Sequence, residues 1–438
     1  MEKRVLVGKI LLLSYYWPPA GGPGVQRWLK NASLLQKLGW EVAVITPQEP
    51  VAANYDPSLE KEVPASMRIL KTEAADPFKA YASLMGKKGK VGTGGIGISN
   101  NKSKKQQLVN FIRANFFIPD ARKGWNKYAL STARVLLQKE SFDAIITTGP
   151  PHSTHLIGLD LQKEFDIKWL ADFRDPWVNI FYNKIFPRTD RTKRKDQALE
   201  NLVLASADAV LTVSPGLEAE FSARAKRIEI IYNGYDPADI PSPERGTQPF
   251  FSLRYTGNLK PNQNIESLWV ALADLCREEH DFKTNFRLEF IGNVDPSARE
   301  RLEKLGLDDL CIYHGYQAHH VATKAMVEAG ALLFIVPKTA DNDLILTGKL
   351  FEYLGSGTPM LSVAPAQGNA AKIIAETGRG ASVDYEDYQG IKERVRDLYR
   401  AWLPTKRSPR LAAESTDAYT RLGSAEKLSR LVEEICRA

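Results

Sequence analysis

The sequence predicts an α/β protein built from two doubly wound halves, each a parallel sheet covered by helices on both faces. Short apolar runs typical of strands alternate with amphipathic segments typical of helices along the whole chain. Most of the strand runs are continuously apolar, as expected for parallel strands buried on both faces. A stretch rich in Pro and Gly interrupts the alternation near residue 245. A chain of 438 residues also exceeds one ordinary core, so two domains are expected.

The candidate strands and the junction between the halves define the expected domains. The strands are 9–14, 42–46, 68–71, 144–147, 168–171, 209–212 and 228–231 in the first half, and 251–255, 287–291, 311–314, 331–336, 360–363 and 381–383 in the second. Strands that alternate with helices indicate Rossmann-like sheets. The predicted domains are therefore 1–245 and 246–415. An amphipathic helix within 416–438 is predicted to pack back on the first domain.

The first helix illustrates the pattern on which the helix predictions rest. Apolar residues recur with the 3.6-residue period from Val25 to Leu38, and Gly39 ends the helix. Ligands of doubly wound sheets bind at the carboxyl ends of strands, where the strand order reverses. In a protein of two such halves, the cleft between them is the expected site.

Composition indicates a soluble protein of a reducing compartment. Hydrophobic residues make up 43% and charged residues 25% of the chain, values typical of globular domains. No apolar run approaches the roughly 20 residues that span a bilayer, and the run 10–13 is interpreted as a strand, not a signal peptide. Cys276, Cys311 and Cys436 are scattered and lack metal-ligand spacing. A cytoplasmic location is therefore expected.

Positive charge is concentrated in two clusters within a net charge of +7. The first comprises Lys87, Lys88, Lys90, Lys102, Lys104, Lys105, Arg113, Arg122, Lys123 and Lys127, and the second Lys184, Arg188, Arg191, Lys193, Arg194 and Lys195. Such patches attract anionic surfaces, and the absence of a recognisable nucleic-acid module disfavours nucleic acid. Because Phe111, Phe116 and other apolar residues interleave with the first cluster, contact with anionic membrane is predicted. The alternative is a solvated loop at 86–101.

The segment 347–359 carries the most informative local signal. An apolar strand, 331–336, precedes it, and a helix opens at Gly348. A helix N-terminus presents unpaired N–H groups and partial positive charge, which attract phosphate, and Lys349 adds a full charge. Glu352 lies on nearly the same helix face, where a carboxylate can accept hydrogen bonds from ribose hydroxyls. Positive charge for the diphosphate and a carboxylate for the ribose are the groups expected at a binding site for a nucleoside-diphosphate sugar. The alternative is a surface helix with an ordinary Lys and Glu.

A glycine-rich turn follows the first strand. Gly21 and Gly22 let the backbone approach a ligand closely and lead into the helix that starts at Val25. The G-x-G-x-x-G fingerprint is not satisfied, and the second strand ends at Thr46 without an acidic residue, so a dinucleotide site is disfavoured. The turn is predicted to contact phosphate or sugar, the alternative being a Pro/Gly turn without a ligand.

Short motifs occur along the chain in a defined order and spacing. They are Pro18-Pro19 with Gly21-Gly22, the junction 233–236, the segment 255–259, and the helix that carries Lys349 and Glu352. Together they resemble the retaining glycosyltransferases of family 4, which have the GT-B fold, over nearly the whole chain. The resemblance implies a nucleoside-diphosphate sugar as donor substrate and no metal or other cofactor. It also implies a donor-binding second domain and an acceptor-binding first domain that face each other across a cleft.

Single residues of the second half follow the family pattern unevenly. Glu352 matches the second Glu of the family's Glu-x₇-Glu motif, which binds ribose, but Leu344 occupies the position of the first Glu. Asn258 and Gln263 replace the family's Arg and Lys, with Lys260 as the nearest basic residue. The expected donor contacts are Gly21, Gly22, Gly257, Asn258, Lys260, Leu346, Thr347, Gly348 and Glu352.

The expected catalytic residues are Lys349 and two residues of the first half. His152 follows a strand, where an imidazole can bond a sugar hydroxyl or an attacking oxygen. The alternative is a loop or capping residue, which is the preferred interpretation of His155. Asp175 lies in a segment resembling the family's His-Asp, with Arg174 in the His position, and is predicted to bind acceptor or donor. The alternative is an Asp–Arg pair that fixes the loop.

Motifs of other enzyme classes give little support to a different reaction. The D-x-D spacing of 341–343 belongs to metal-dependent glycosyltransferases of another fold and is treated as accidental, although Asp341 or Asp343 is a candidate for the missing carboxylate. No hydrolase or zinc-enzyme motif appears. The predicted activity is sugar transfer to a hydroxyl of a glycan or lipid-linked acceptor in surface-glycan biosynthesis. A sugar-nucleotide epimerase remains an alternative, as does a non-catalytic binding protein, which Leu344 and Asn258 favour.

Overall fold

The computed structural model describes residues 7–52, 54–75, 104–180, 183, 186–242, 247–340, 342–407, 410–411 and 416–437. They form two compact units, the first ending at Tyr232 and resuming at Ala425, the second running from Asn233 to Ser424. Each unit is a parallel sheet with surrounding helices. The predicted fold class, two doubly wound α/β halves, is confirmed.

Parallel strands and the helices that connect them form the first unit. Its strands are β1 (Gly8–Leu13), β2 (Trp40–Pro47), β3 (Arg68–Thr72), β4 (Ala144–Gly149), β5 (Lys168–Phe173), β6 (Ala209–Thr212) and β7 (Ile228–Ile230). Its helices are α1 (Pro23–Lys37), α2 (Lys104–Phe116), α3 (Asn126–Lys139), α4 (Thr154–Phe165), α5 (Asp190–Ser206) and α6 (Pro215–Phe221). The strand order β3-β2-β1-β4-β5-β6-β7 reverses between β1 and β4.

The second unit repeats this plan with a smaller sheet. Its strands are β8 (Phe251–Thr256), β9 (Phe286–Ile291), β10 (Cys311–Gly315), β11 (Ala331–Ile335), β12 (Met360–Val363) and β13 (Gly380–Val383). Its helices are α7 (Glu266–Glu278), α8 (His280–Asn285), α9 (Pro296–Lys304), α10 (His319–Val327), α11 (Gly348–Ser356), α12 (Asn369–Glu376) and α13 (Tyr388–Trp402). The order β10-β9-β8-β11-β12-β13 reverses between β8 and β11, which is where such sheets bind ligands.

The last helix, α14 (Arg421–Arg437), covers one face of the first unit's sheet. Its Leu428 lies in the same buried cluster as Ile10 and Leu12 of β1. The intervening residue Leu11 packs into a second cluster on the opposite face. Successive strand residues point to opposite faces, so a continuously apolar strand supplies both cores.

The division between the units precedes the predicted boundary at 245. The amide of Tyr235 donates to the carbonyl of Tyr419 (3.1 Å), and the amide of Arg421 donates to the carbonyl of Tyr235 (2.8 Å). These bonds hold the chain after Asn233 inside the second unit. The Pro/Gly composition that set the predicted boundary therefore begins several residues after the actual change of unit.

Parts of the sequence predictions lie outside the described residues. They include the lysines from Lys87 to Lys102 of the first basic cluster, Lys184 of the second, and Asp341. In the described part of the chain, no helix is both long and apolar enough to cross a bilayer. Among the same residues, no group of three or more His, Cys, Asp or Glu side chains is placed to hold a metal ion.

Candidate active site

Helix α11 begins at the point where the strand order of the second unit reverses. Thr347 precedes the helix in an extended conformation (φ −103°, ψ 153°), makes no side-chain capping bond, and no acidic residue follows in the first turn. The hydroxyl oxygen of Thr347 is buried and has no hydrogen-bond partner in the described structure. The buried residues Leu350 and Leu354 anchor the opposite face of the helix. The first turn of α11 therefore presents backbone N–H groups and partial positive charge without an acidic side chain to neutralise them.

Lys349 is held against the carboxyl end of β8. Its Nζ donates a hydrogen bond to the phenol oxygen of Tyr255 (2.6 Å) and lies 4.1 Å from the centroid of that ring. Gly257 makes room for this side chain, because a Cβ at that position would lie 2.5 Å from the Cε of Lys349. Burial and, to a smaller extent, the charge of Lys260 lower the pKa of Lys349 to about 8, although Glu352 opposes both. The ammonium is thus oriented and only partly solvated.

The pKa of Lys349 predicts how anion binding depends on pH. Above pH 8 the free protein loses this ammonium charge, whereas a bound diphosphate stabilises the charged form and raises its pKa. Binding of a nucleoside diphosphate at pH 9 should therefore take up about one proton per site. Calorimetric titrations in buffers of different ionisation heat measure this uptake. Lys349→Arg should abolish it, and no uptake by the wild type would contradict the assigned charge state.

Glu352 lies one turn along the same helix, and its side chain is partly buried. No described residue donates a hydrogen bond or forms an ion pair with it. Burial raises the pKa of Glu352, the charges of His319 and Arg421 lower it, and Asp239 raises it again. A partly buried carboxylate without donors gains most from a ligand that brings hydroxyl groups.

The predicted donor residues that follow β8 have different roles. Gln263 is buried and structural: its amide nitrogen donates to the carbonyl of Ile335 (2.7 Å), and its oxygen accepts from the Tyr255 hydroxyl (3.3 Å). It therefore fixes the tyrosine on which Lys349 rests. Asn258 is exposed, and its oxygen accepts a bond from the Asn293 amide (3.2 Å). Lys260 is exposed, and its charge acts on Lys349.

The segment before α11 offers a ligand mainly backbone groups and few polar side chains. Gly348 is exposed, with open space where a Cβ would stand, and Leu346 is half-buried. Leu344, at the position of the family's first Glu, is exposed. Asp343 is also exposed, and its backbone packs against Gly368 at the start of α12. The structure thus brings Thr347, Gly348, Lys349 and Glu352 together with Gly257 and Lys260.

In the first unit, His152 lies inside an aromatic stack. Its ring is parallel to that of Trp177 (centroids 5.3 Å apart) and stacks on Phe173 (5.7 Å), leaving 5% of the residue exposed. Burial, helped by the charges of His155 and Arg174, holds the pKa of His152 well below its usual range. The imidazole is therefore neutral. Neither ring nitrogen makes a well-formed hydrogen bond to a described residue.

Arg174 is fixed by backbone carbonyls and not by Asp175. Its Nε donates to the carbonyl of Gly149 (3.1 Å) and its Nη2 to that of Pro150 (2.7 Å). No ion pair joins it to Asp175, which is exposed beside it. The guanidinium lies against the start of α1, because a Cβ on Gly24 would meet its Nη1 at 1.5 Å. The hydrogen bonds that fix this loop therefore run from Arg174 to backbone carbonyls, and not to an aspartate as the alternative interpretation expected.

The predicted glycine contacts of the first unit lie at the start of α1. Gly22 is the residue before the helix, with φ +110° and no atom within 4 Å of a built Cβ. The amide of Gly21 donates to the carbonyl of Asn54 (2.9 Å). Gly22 therefore needs the conformational freedom of glycine and leaves open space in front of the helix.

Sequence reasoning missed a buried ion pair beneath this surface. Arg27 and Asp172 are 2.7 Å apart with side chains 1% and 0% exposed. The same carboxylate accepts hydrogen bonds from Trp28 Nε1 (2.6 Å) and Thr148 Oγ1 (2.8 Å). An acidic residue inside an otherwise apolar strand was the available signal, since a buried carboxylate requires partners.

A second carboxylate that the sequence did not single out is Asp120. It accepts hydrogen bonds from the amide of Ser153 (2.8 Å) and from its hydroxyl (2.9 Å). Ser153 is the residue before α4, so Asp120 satisfies its N–H group and its hydroxyl at the start of that helix. Asp120 therefore positions the turn that carries His152.

Comparison with known proteins bears on the class. Residues 97–239 match the family model described as Glycosyltransferase Family 4. A search of curated proteins found no significant match. The solved structures that are similar over almost the full length include the following three. WaaG, a glycosyltransferase involved in lipopolysaccharide biosynthesis, is 15% identical with a TM-score of 0.51, covering 97% of this chain and 99% of that one.

The two other structures show the same architecture. A TarM variant from S. aureus, in complex with Fondaparinux, alpha-GlcNAc-glycerol and UDP, is 10% identical with a TM-score of 0.51, covering 98% and 99%. A structure described as a UDP-N-acetylglucosamine 2-epimerase from Listeria monocytogenes is 10% identical with a TM-score of 0.52, covering 97% and 96%. At such identities these likenesses establish the fold alone.

Fold and family match together define the class: the protein is a glycosyltransferase with the GT-B fold. The match over residues 97–239 also confirms the resemblance to family 4 that the motifs indicated. The fold is shared with an epimerase, so it is the family match that separates the two classes.

Proposed function

We propose that the protein transfers a sugar from a nucleoside-diphosphate sugar to a hydroxyl of a glycan or lipid-linked acceptor, with retained configuration. The observation that carries this proposal is the start of α11, where uncapped N–H groups and the oriented ammonium of Lys349 converge. Surface-glycan biosynthesis is the setting that the resemblance and the likeness to WaaG support.

The diphosphate is bound at the first turn of α11. Backbone N–H groups from Gly348 on, the buried hydroxyl of Thr347 and the ammonium of Lys349 surround the position that an anion would take. Lys260 adds charge from the loop after β8. Such a set replaces a metal ion as the source of positive charge. The complex of TarM with UDP supports a uridine nucleotide as one candidate.

Catalysis follows from where the charge develops. As the bond between the sugar and the diphosphate breaks, negative charge grows on the oxygen nearest Lys349 and the helix N-terminus. Groups aimed at that charge stabilise the transition state more than the ground state. The departing phosphate oxygen accepts the proton of the acceptor hydroxyl, so the reaction needs no separate protein base. His152 is enclosed in its aromatic stack, and we assign it to shaping the loop with Arg174.

Glu352 is assigned to the ribose hydroxyls, which predicts a binding defect without unfolding. Glu352→Gln should weaken binding of the best nucleoside diphosphate roughly 10- to 100-fold, because hydrogen bonds to a charged group are worth about 1.5–3 kcal/mol. Calorimetric titration measures this change. Glu386→Gln, at an exposed carboxylate of the same unit, is the matched control. If wild type and Glu352→Gln bind the nucleoside diphosphate equally tightly, Glu352 does not contact the ribose.

Donor turnover tests the proposed reaction. A panel of uridine and guanosine diphosphate sugars, incubated with the wild type and with Glu352→Ala, is analysed for free nucleoside diphosphate and for the sugar product. Release of nucleoside diphosphate by the wild type, accelerated by acceptor, supports transfer. Conversion of the nucleotide sugar to its epimer would establish the epimerase alternative. Tight binding with neither product would establish the non-catalytic alternative.

We further propose that the first unit touches anionic membrane through α2. Phe111, Ile112 and Phe116 are exposed on this helix, Phe116 to 74%. Six lysines of the first basic cluster lie at or before its start in the sequence. Exposed apolar side chains beside basic residues are typical of peripheral membrane contact, and each Lys or Arg near an anionic surface contributes about 1 kcal/mol.

Vesicle sedimentation checks the membrane proposal. Wild type should sediment with anionic vesicles at low salt. Phe111→Ser with Phe116→Ser, and separately Ser at Lys87, Lys88, Lys90, Lys102, Lys104 and Lys105, should lower binding and activity on lipid acceptors but leave donor hydrolysis unchanged. Val135→Ser, at an exposed residue of α3, is the control. No sedimentation of the wild type, or equal sedimentation of all variants, would leave α2 a solvated surface.

A further inference from the structure

Glycines with positive φ end three neighbouring strands of the second unit. They are Gly257 after β8 (φ +92°), Gly292 after β9 (φ +124°) and Gly315 at the end of β10 (φ +66°). The amide of Gly257 donates to the carbonyl of Ile291 (2.6 Å), and that of Gly292 to Gly315 (2.7 Å). A Cβ on Gly292 would lie 2.4 Å from the carbonyl oxygen of Gly257. These glycines form a row along the carboxyl edge of the sheet, here called the glycine shelf, and at Gly315 no atom lies within 4 Å of a built Cβ.

Tyr316 lies at the far end of the glycine shelf. It follows Gly315 directly and is 82% exposed, more than any other large hydrophobic side chain of the described residues. Its ring packs on no other described aromatic or cationic side chain, and its hydroxyl makes no hydrogen bond to a described residue. Packing and stability within the described structure therefore give no reason for an aromatic residue at this position.

Electrostatics connect the loop of Tyr316 with Glu352. His319, at the start of α10, lies close enough for its charge to act on the Glu352 carboxyl. At the other end of the shelf, Gly257 packs under Lys349. A nucleotide with its diphosphate at α11 and its ribose on Glu352 would therefore extend its base over the glycine shelf toward Tyr316.

We propose that the ring of Tyr316 stacks on the nucleobase of the donor. This inference rests on the proposed function, because it assumes a nucleotide at α11. The open space at Gly315 lets a flat ring approach the backbone closely beside Tyr316, and the exposed phenol supplies a π-face. Since every base has such a face, Tyr316 adds affinity for several nucleotides and leaves the choice among them to other contacts.

Titration of three variants tests the role of Tyr316. Wild type, Tyr316→Ala, Tyr316→Phe and Val321→Ala, the last at an exposed residue of α10, are titrated with uridine and guanosine diphosphate and with inorganic pyrophosphate, which has no base. Tyr316→Ala should weaken binding of the nucleoside diphosphate that the wild type prefers, roughly 5- to 150-fold. Its affinity for pyrophosphate should stay unchanged. Tyr316→Phe and Val321→Ala should bind both as the wild type does.

The outcomes separate this inference from the proposed function. Nucleoside diphosphate bound equally by wild type and Tyr316→Ala would overturn the stacking and leave the proposed function standing. An equal loss of pyrophosphate and nucleotide by Tyr316→Ala would also overturn it, since the effect would not involve the base. A wild type that binds no nucleoside diphosphate would overturn the proposed function and this inference together.

Discussion

Lys349→Ala should lower kcat by about 10²–10³-fold while changing donor binding much less. Losing one group aimed at developing charge typically costs about 3–4 kcal/mol in the transition state. The ammonium is oriented by its hydrogen bond to Tyr255 and by the space that Gly257 leaves for the side chain. Steady-state kinetics with the best donor measure kcat and KM separately.

The control for Lys349 is another lysine of the same unit. Lys338 is exposed and pairs with Glu386, so Lys338→Ala should retain wild-type kcat. Thermal unfolding of both variants excludes a loss of fold as the cause. Wild-type kcat in Lys349→Ala would refute the role assigned to the ammonium, and a rise in KM alone would reduce it to ground-state binding.

The second large effect is a loss of stability, which we expect when Asp172 is replaced. Asp172→Asn leaves the Arg27 guanidinium buried beside a neutral amide, and one Asn nitrogen would face donors that now bond to a carboxylate oxygen. Breaking a buried ion pair by removing one charge costs about 3–5 kcal/mol. Urea unfolding should show the first unit's transition at lower denaturant, with its slope unchanged.

An exposed ion pair of the same unit provides the comparison for Asp172. Arg134 and Glu164 lie 2.7 Å apart at the surface, and pairs of that kind contribute about 0.2–1 kcal/mol. Glu164→Gln should therefore shift the transition only slightly. A similar small shift in Asp172→Asn would mean that Arg27 finds other partners when the carboxylate is lost.

The fold could be predicted because its signals are local. Continuous apolar runs mark buried parallel strands, and the periods of strand and helix can be recognised within a few residues. The positions of Lys349 and Glu352 on the first turns of α11 followed from the same local pattern, a strand followed by Gly348. The predicted boundary at 245 lies beyond the actual change of unit at Asn233, because it was placed in the Pro- and Gly-rich stretch and not at the junction 233–236.

The environment of the site residues could not be predicted from sequence. Gln263 appeared as the loss of a family Lys, yet its contacts with Ile335 and Tyr255 make it the support for Lys349. Those partners are 72 and 8 residues away along the chain. His152 showed the same limit, since the ring that encloses it belongs to Trp177. Such contacts join residues that are far apart along the chain. They leave no local pattern in a single sequence from which they could be predicted.

The central claim is that the second unit binds a nucleoside-diphosphate sugar at the start of α11. Thermal and calorimetric titration of the whole protein with a panel of nucleotide sugars tests it most directly. At least one donor should stabilise the wild type, by about 2.7 kcal/mol at a hundred times its Kd, and should stabilise Glu352→Gln much less. No stabilisation by any nucleotide sugar at millimolar concentration, or equal stabilisation of wild type and Glu352→Gln, would contradict the claim.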